Sequence, residues 1–393
     1  MELFITMGWS THHSTGLIHY APQNSYRGYT LLANVGGHDA KLIDMEGRIC
    51  HTWHSDEGIG YSYLLPNGHL LLRTGPAAEE VSFLTRPERD LLPRGGRTAA
   101  GAILELDWGS NVVWAHRNPF LHHDFERLPN GNTLVLVWQS LPEDLAATVN
   151  GGFSDGSTQG QMLGDVVQEV TPSGDVINEW RSWEHLSLEE DTICFLEGRQ
   201  EWTHQNTLNV TKDGDLLVSF RQTDTIGIVD RSSGEFSWKW GPGDISHQHN
   251  PTYLENGHVL LFDNGPHRRG VCHSRIIEID PSDNQIVWEY RGDPPISFFS
   301  YHISGAERLP NGNTLICEGA PGRIFEVTLA KDIVWEYINQ FAGMSGYGVG
   351  GTVSGFANSV FRAHRYGPDH PALQGRDLDP DRHANLNRLY SPA

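Results

Sequence analysis

Histidines recur in this chain at fixed distances from a repeated turn. Counted back from the Asn or Asp of each Asn-Gly or Asp-Gly turn, the position seven residues earlier holds Gly60, His123, Asn206, His249 and Ser304. The position nine residues earlier holds Gly58, Leu121, His204, His247 and His302. Positions that differ by two share one face of a strand. The strand that returns after each turn ends with Arg73, Trp138, Arg221, Asp263, Asn264 or Glu318. Imidazoles and guanidiniums brought together in this way suit three chemistries. Imidazole is a nucleophile and a general acid or base near neutral pH. Neutral imidazoles also bind a transition metal, with His247, His302, Asp263 and Glu318 as candidate ligands. The same groups could instead bind an anion without turnover. No HExxH or comparable compact metal motif is present. His12, His13, His54, His267, His273 and His370 fall in loops or termini and are outside this register.

Such positioning requires a repeating scaffold, and the sequence supplies one in two halves. The first half is a hairpin, seen at Tyr63-Leu-Leu-Pro-Asn-Gly-His-Leu-Leu-Leu-Arg73, Glu126-Arg-Leu-Pro-Asn-Gly-Asn-Thr-Leu-Val-Leu136 and Glu307-Arg-Leu-Pro-Asn-Gly-Asn-Thr-Leu-Ile-Cys317, with variants at Asp213-Gly214 and Asn256-Gly257. Asn-Gly and Asp-Gly between apolar runs mark tight turns that need positive φ. The second half pairs a strand ending in Asp or Thr with a strand carrying tryptophan: Asp44 with Trp53, Asp107 with Trp114, Thr171 with Trp180, Asp230 with Trp238, Asp280 with Trp288, Thr328 with Trp335. Joined, the halves make four-stranded meanders of propeller-blade size. The first blade begins directly at Tyr29, and Ser359–Tyr366 is a strand-like segment lacking a partner half. The expectation is an all-β, six-bladed β-propeller of four-stranded antiparallel blades, its ring closed by pairing of the N- and C-terminal strands. Residues 1–393 are expected to form a single domain: a 1–27 extension, blades over 28–343, a Gly-rich connector 344–357, a closing strand 358–373 and a tail 374–393. Segments 76–99 and 141–164 read as loops. In this scheme the registered histidines start the innermost strands and gather at one mouth of the channel.

The 393-residue chain carries 28 basic against 49 acidic residues, a formal charge of −21. That balance argues against nucleic acid and anionic membranes as partners, and an anionic substrate would need a local basic pocket. The N-terminus has no basic n-region or apolar run of signal-peptide kind, and no stretch approaches the roughly 20 apolar residues of a membrane span. A cytoplasmic location is expected, or a periplasmic one if a signal has been removed. The four scattered cysteines, Cys50, Cys194, Cys272 and Cys317, read as reduced thiols.

From about Tyr29 to Tyr366 the chain resembles the bacterial arylsulfate sulfotransferase family. The likeness is carried by His122-His-Asp-Phe-Glu-Arg-Leu-Pro-Asn-Gly131, by His204-Gln-Asn206 with Arg221 downstream, and by Gln248-His249 leading into Leu261-Phe-Asp-Asn-Gly265. The resemblance implies a six-bladed propeller that moves a sulfuryl group between phenolic compounds and requires no cofactor. It implies that His249 is the transiently sulfated residue, that His123 and His204 are its partners, and that Asn206 and Arg221 hold the sulfate. His247 and His302 are additional residues for substrate or, with Asp263 and Glu318, for a divalent metal. The chain departs from the family in lacking a visible export signal, extra N-terminal domain and pairable cysteines. The alternative is therefore a lyase or hydrolase that uses the same histidines, with or without a metal, on an aromatic ether, ester or glycan. A non-catalytic binding propeller is the third reading.

Overall fold

In the computed structural model, described for residues 14–74, 99–154, 161–341, 343–345 and 355–390, nearly all regular structure is strand. The fold is all-β and propeller-like. It forms two compact units, one of residues 1–75, 103–115 and 302–393, the other of residues 76–102 and 116–301.

In the first unit, Tyr29–Asn34, Gly37–Ile43 and Ile49–Ile59 form a meander whose free edge is taken by Val360–Tyr366. That pairing runs antiparallel from Tyr29 opposite Tyr366 to Asn34 opposite Val360. A second meander runs from Gly305–Arg308 through Thr314–Glu318 and Arg323–Val327 to Ile333–Ile338, with Gly16–Tyr20 added at its outer edge. Leu32, Ile43, Ile49, Leu315, Ile324, Trp335, Tyr337 and Val360 pack between them, all buried. In the second unit, Gln205–Val210, Leu216–Phe220, Thr225–Val229 and Phe236–Trp240 form one four-stranded sheet. His249–Tyr253, Val259–Asp263, Arg275–Asp280 and Gln285–Arg291 form the next.

Four separate four-stranded blades are thus present among the described residues, which corrects the expectation of six. Where two further blades were expected, the chain runs through one unbroken strand, Val112–Arg127, of 16 residues. That segment contains no Asn-Gly or Asp-Gly turn, and the strand runs on through Asn118-Pro119. The expected loop 141–164 contains a short helix, Glu143–Thr148, and a strand, Gly151–Phe153, that pairs in parallel with Ile193–Gly198; its residues 155–160 lie outside the described set. Of the expected loop 76–99, all but residue 99 lies outside the described residues, as does most of the connector 344–357. The tail includes a helix, Ala384–Tyr390, whose Asn387 side chain accepts from Ile49 N (2.8 Å) and donates to Ile49 O (3.2 Å).

Three of the six recurring tryptophans have a shared task. Trp180 Nε1 donates to Gly234 O, Trp238 Nε1 to Asn284 Oδ1 and Trp335 Nε1 to Met45 O, each at 2.8 Å. In every case the acceptor is in the turn between the last two strands of another blade of the same unit. The ring adds buried apolar area while its N–H ties one outer edge to the next.

One charged pair holds the terminal strands together. The Arg365 guanidinium is buried, donates to Thr30 Oγ1 (2.7 Å) and Tyr26 O (2.8 Å), stands 3.4 Å from Glu326 and lies over the Trp335 ring at 4.5 Å. Glu326 also accepts from Tyr26 N and from Asn313 Nδ2, both at 2.6 Å. Burial lowers the Arg365 pKa to about 10, against the opposing pull of Glu326. Arg365→Ala would leave the carboxylate charged and without its cation, so a loss of about 3–5 kcal/mol is expected in urea unfolding. A loss below about 1 kcal/mol would remove Arg365 from this role.

Candidate functional site

Three inner strands of the second unit carry the registered residues: the end of Val112–Arg127, Gln205–Val210 and His249–Tyr253. Side chains tie their backbones together, Asp124 Oδ2 accepting from Leu208 N and Thr207 Oγ1 from Asn250 N, both at 2.9 Å. Each strand slips register at its start, between His122 and Phe125, between Gln205 and Thr207, and between His249 and Thr252. A bulge breaks the two-residue alternation and re-aims side chains. The backbone at three histidines is also left-handed, with φ of 40° at His123, 53° at His204 and 57° at His247. Histidine is one of the few residues enriched there, though it is still uncommon.

The bulge brings His122, which sequence register had not singled out, onto the same side as His123. Their Nδ1 atoms are 3.0 Å apart, so one of the two donates. The His122 ring stacks on Trp138 (4.3 Å between centroids, 13° between planes) and its Nε2 lies 3.3 Å from Asp165 Oδ1, a close contact without full hydrogen-bond alignment. His123 meets His204 edge to face at 4.4 Å. His204 Nδ1 stands 2.5 Å from Glu201 Oε1, and Glu201 Oε2 accepts from Trp138 Nε1 at 3.2 Å. Asp165, Glu201 and the three histidines are all buried. A row of titratable groups therefore runs from Asp165 through His122, His123 and His204 to Glu201. Asp165 also accepts from Thr203 Oγ1 and from Gln205 N. Burial, helped by the Glu201 charge, pushes its pKa up to about 7.

His249 is held differently. Asn264 Nδ2 donates to the Ser300 carbonyl at 2.8 Å, which fixes the amide so that its oxygen faces His249 Nδ1, also at 2.8 Å. An amide oxygen only accepts, so Nδ1 carries the proton and Nε2 the lone pair. The His247 carbonyl, 3.2 Å from the same Nδ1, favours the same tautomer. Asn206, the extra residue of its bulge, donates to Gln248 O at 2.7 Å and so fixes the peptide that leads into His249.

Arg221 and His247 share a carboxylate. Glu197 Oε1 is 2.9 Å from Arg221 Nη1 and 2.9 Å from His247 Nε2. Burial alone would raise the Glu197 pKa, but the His247 hydrogen bond and the Arg221 charge hold it well below the usual carboxylate range. On its other side His247 gives both its backbone N (2.7 Å) and Nδ1 (2.9 Å) to Asp224 Oδ1. Carboxylates thus stand at both ring nitrogens of His247 and fix the direction of the ring. Asp263 is fully buried and committed to Arg268 (2.5 Å), Arg275 (2.7 Å) and Ser246 N (2.9 Å). His302 and Glu318 belong to the first unit, where Glu318 stands 3.3 Å from Arg323. Of the four candidate metal ligands, only His247 lies in a group with metal-site spacing among the described residues, and its companions there are Cys194 and His267.

The sequence missed the carboxylates that back these histidines. Glu201 was accessible as the residue three before His204. Glu197 and Asp224 sit outside the repeating hairpins, and Asp165 is placed by the strand after the 141–164 insertion. Trp202, two residues before His204, is core: it packs with Leu141, Ala146, Met162 and Ile193 and donates to Asp191 O at 2.7 Å.

Residues 96–340 match the model of a family described as arylsulfotransferase (ASST). A comparison with curated proteins finds no match. Among solved structures the chain is similar to a protein of unknown function from Bacteroides caccae, with TM-score 0.53, 13% identity, and coverage of 86% of this chain and 98% of that one. It is also similar to a streptogramin B lyase (TM-score 0.46, 12% identity, 83% of each chain) and to virginiamycin B lyase from Staphylococcus aureus (0.45, 13%, 84% and 87%). At these identities the likeness is one of fold. Among the described residues no helix is long and apolar enough to cross a membrane.

The raised Asp165 pKa has a stability consequence. An acid that holds its proton more tightly folded than unfolded contributes stability that is complete below about pH 4 and lost as pH rises towards 7. Asp165→Asn should therefore flatten the fall in unfolding free energy between pH 4 and 7, gaining on the wild type by on the order of 4 kcal/mol across that window. Parallel pH profiles for the two proteins would show that Asp165 is ionised throughout.

Proposed function

The chain belongs to the arylsulfotransferase family, and on that premise we propose that it moves a sulfuryl group from an aryl sulfate to a phenol through a sulfo-histidine at His249. The observation that carries this reading is the fixed tautomer: Ser300 orients Asn264, Asn264 takes the Nδ1 proton of His249, and the lone pair is on Nε2. A nucleophile at neutral pH needs its lone pair committed to one atom, and a locked imidazole meets that need without an external base.

The steps then balance. His249 Nε2 attacks sulfur in line, the N–S bond forms as the S–O bond to the aryl oxygen breaks, and His204 gives a proton to the departing phenolate. Glu201 on His204 Nδ1 stabilises that ring when it is cationic, as a carboxylate does for the base of a hydrolytic triad. A second phenol then loses its proton to His204 and attacks sulfur, the N–S bond breaks, and His249 is regenerated. His123, edge to face with His204 and coupled to His122, keeps that ring in place. Sulfuryl transfer resembles phosphoryl transfer in needing charge on the non-bridging oxygens more than covalent help. Arg221 is the cation for that task, steadied by Glu197 through one arm while its other N–H groups engage the oxygens. Asn206 serves by aiming the peptide before His249.

Purified protein with 4-nitrophenyl sulfate and a phenol acceptor should release 4-nitrophenol in an acceptor-dependent, ping-pong manner. His249→Ala should lower transfer by about 10³-fold or more, and Asn264→Ala, which frees the tautomer, by about 10–100-fold. Release that ignores the acceptor, or survives in His249→Ala, would overturn the sulfo-histidine route in favour of hydrolysis or lyase chemistry.

A further inference from the structure

Beside Glu197 lies a cluster that sulfuryl transfer does not use. Cys194, His247 and His267 each bring one ligand atom within 4.8 Å of the others. Cys194 Sγ is 3.4 Å from His267 Nδ1, and the His247 and His267 rings meet at 4.2 Å. Three different segments supply them: the strand Ile193–Gly198, the left-handed turn before His249, and the loop after Gly265. None of those segments is free to drift. Cys194 N donates to Gln222 O (2.7 Å), and His267 N to Ser246 Oγ (3.2 Å).

We propose that Cys194, His267 and His247 Nε2 form a binding site for a divalent transition metal of zinc type, with Glu197 as the fourth ligand. In a tetrahedral zinc site with Zn–S near 2.3 Å and Zn–N near 2.1 Å, sulfur and nitrogen stand about 3.6 Å apart, and the Cys194–His267 edge is already 3.4 Å. The His247 Nε2 to Glu197 Oε1 edge of 2.9 Å needs to open by about 0.5 Å to match an N–Zn–O edge, and the Glu197 carboxylate, which stands outside the three-residue group, must turn in to complete the shell. The donor set of one thiolate, two imidazoles and one carboxylate selects zinc over calcium or magnesium, which take oxygen. Asp224 on His247 Nδ1 is the outer carboxylate that fixes the tautomer and direction of a metal-binding histidine. A ligating cysteine is a thiolate, so the Cys194 S–H gives its proton to solvent as the ion enters. Because Glu197 also holds Arg221, an occupied site would redirect that guanidinium, so the metal acts on the arginine without touching substrate.

Cobalt(II) titrated into the full-length protein tests this independently of sulfuryl transfer. The expected result is one equivalent bound with a thiolate-to-cobalt charge-transfer band in the near ultraviolet and the strong visible bands of a tetrahedral ion. Cys194→Ser should abolish the ultraviolet band, and His267→Ala should weaken zinc affinity by about tenfold or more, with circular dichroism confirming that both variants fold. A wild-type spectrum lacking the thiolate band, or a band that persists in Cys194→Ser, overturns the proposal. Transfer activity with no such band would sink this site and leave the sulfo-histidine standing, while the band without transfer would do the reverse.

Discussion

Everything at the site rests on a backbone conformation that an L-residue adopts reluctantly. His123, His204 and His247 sit with positive φ where inner strands begin, and each such residue costs on the order of 1 kcal/mol or more. Local bonds offset the cost. Asp224 receives both the backbone N and the ring of His247, and the carbonyl of His204 accepts from Arg221 N at 3.2 Å. The left-handed turn is what makes the ring face its neighbours across the strand ends instead of alternating with them. At the repeat position of His204 and His247 another hairpin has Gly58, with φ of 77°.

Carboxylates behind the rings resolve the electrostatic difficulty posed by a strongly acidic chain. In the proposed reaction an anionic sulfate has to approach a protein whose formal charge is −21. Glu201, Glu197 and Asp224 are engaged by imidazole, indole or guanidinium groups, and burial opposes the ionisation of Asp165. The acidic groups therefore polarise the imidazoles from behind while their own charges are matched or diminished. Low local dielectric makes that arrangement costly to build and effective once built.

The hairpins were legible because their chemistry is local. Gly68, Gly131, Gly214, Gly257 and Gly312 all have positive φ, as Asn-Gly and Asp-Gly turns demand. The pairing of Tyr29–Asn34 with Val360–Tyr366 was legible from an unpaired half-repeat at each end. Counting from the turns also singled out His249, and His123 and His204, whose rings the structure brings together. It could not find His122, because strict alternation assigns neighbouring residues to opposite faces and only the bulge reverses this. Nor could it divide the repeats into blades near Val112–Arg127, where two half-units merge in one strand. The backing carboxylates lie in segments of irregular length, and no periodicity reaches them. His267 was set aside as a loop residue for the same reason, and Cys194 was read only as a buried thiol.

The antiparallel pairing of the first and last long strands also determines how the chain bears load. Tyr29 and Tyr366 are opposite one another, and antiparallel partners stand only about 5 Å apart. Tension on the chain before Tyr29 and after Tyr366 would pull on this ladder from one end. Its rungs would then break one at a time, as in unzipping, and never together as in shear. The seam is thus mechanically soft to a pull applied at Tyr29 and Tyr366, though the buried Arg365 makes it thermodynamically strong. The same proximity means that a linker of a few residues could join Tyr29 to Tyr366 and let the chain be reopened at one of its hairpin tips.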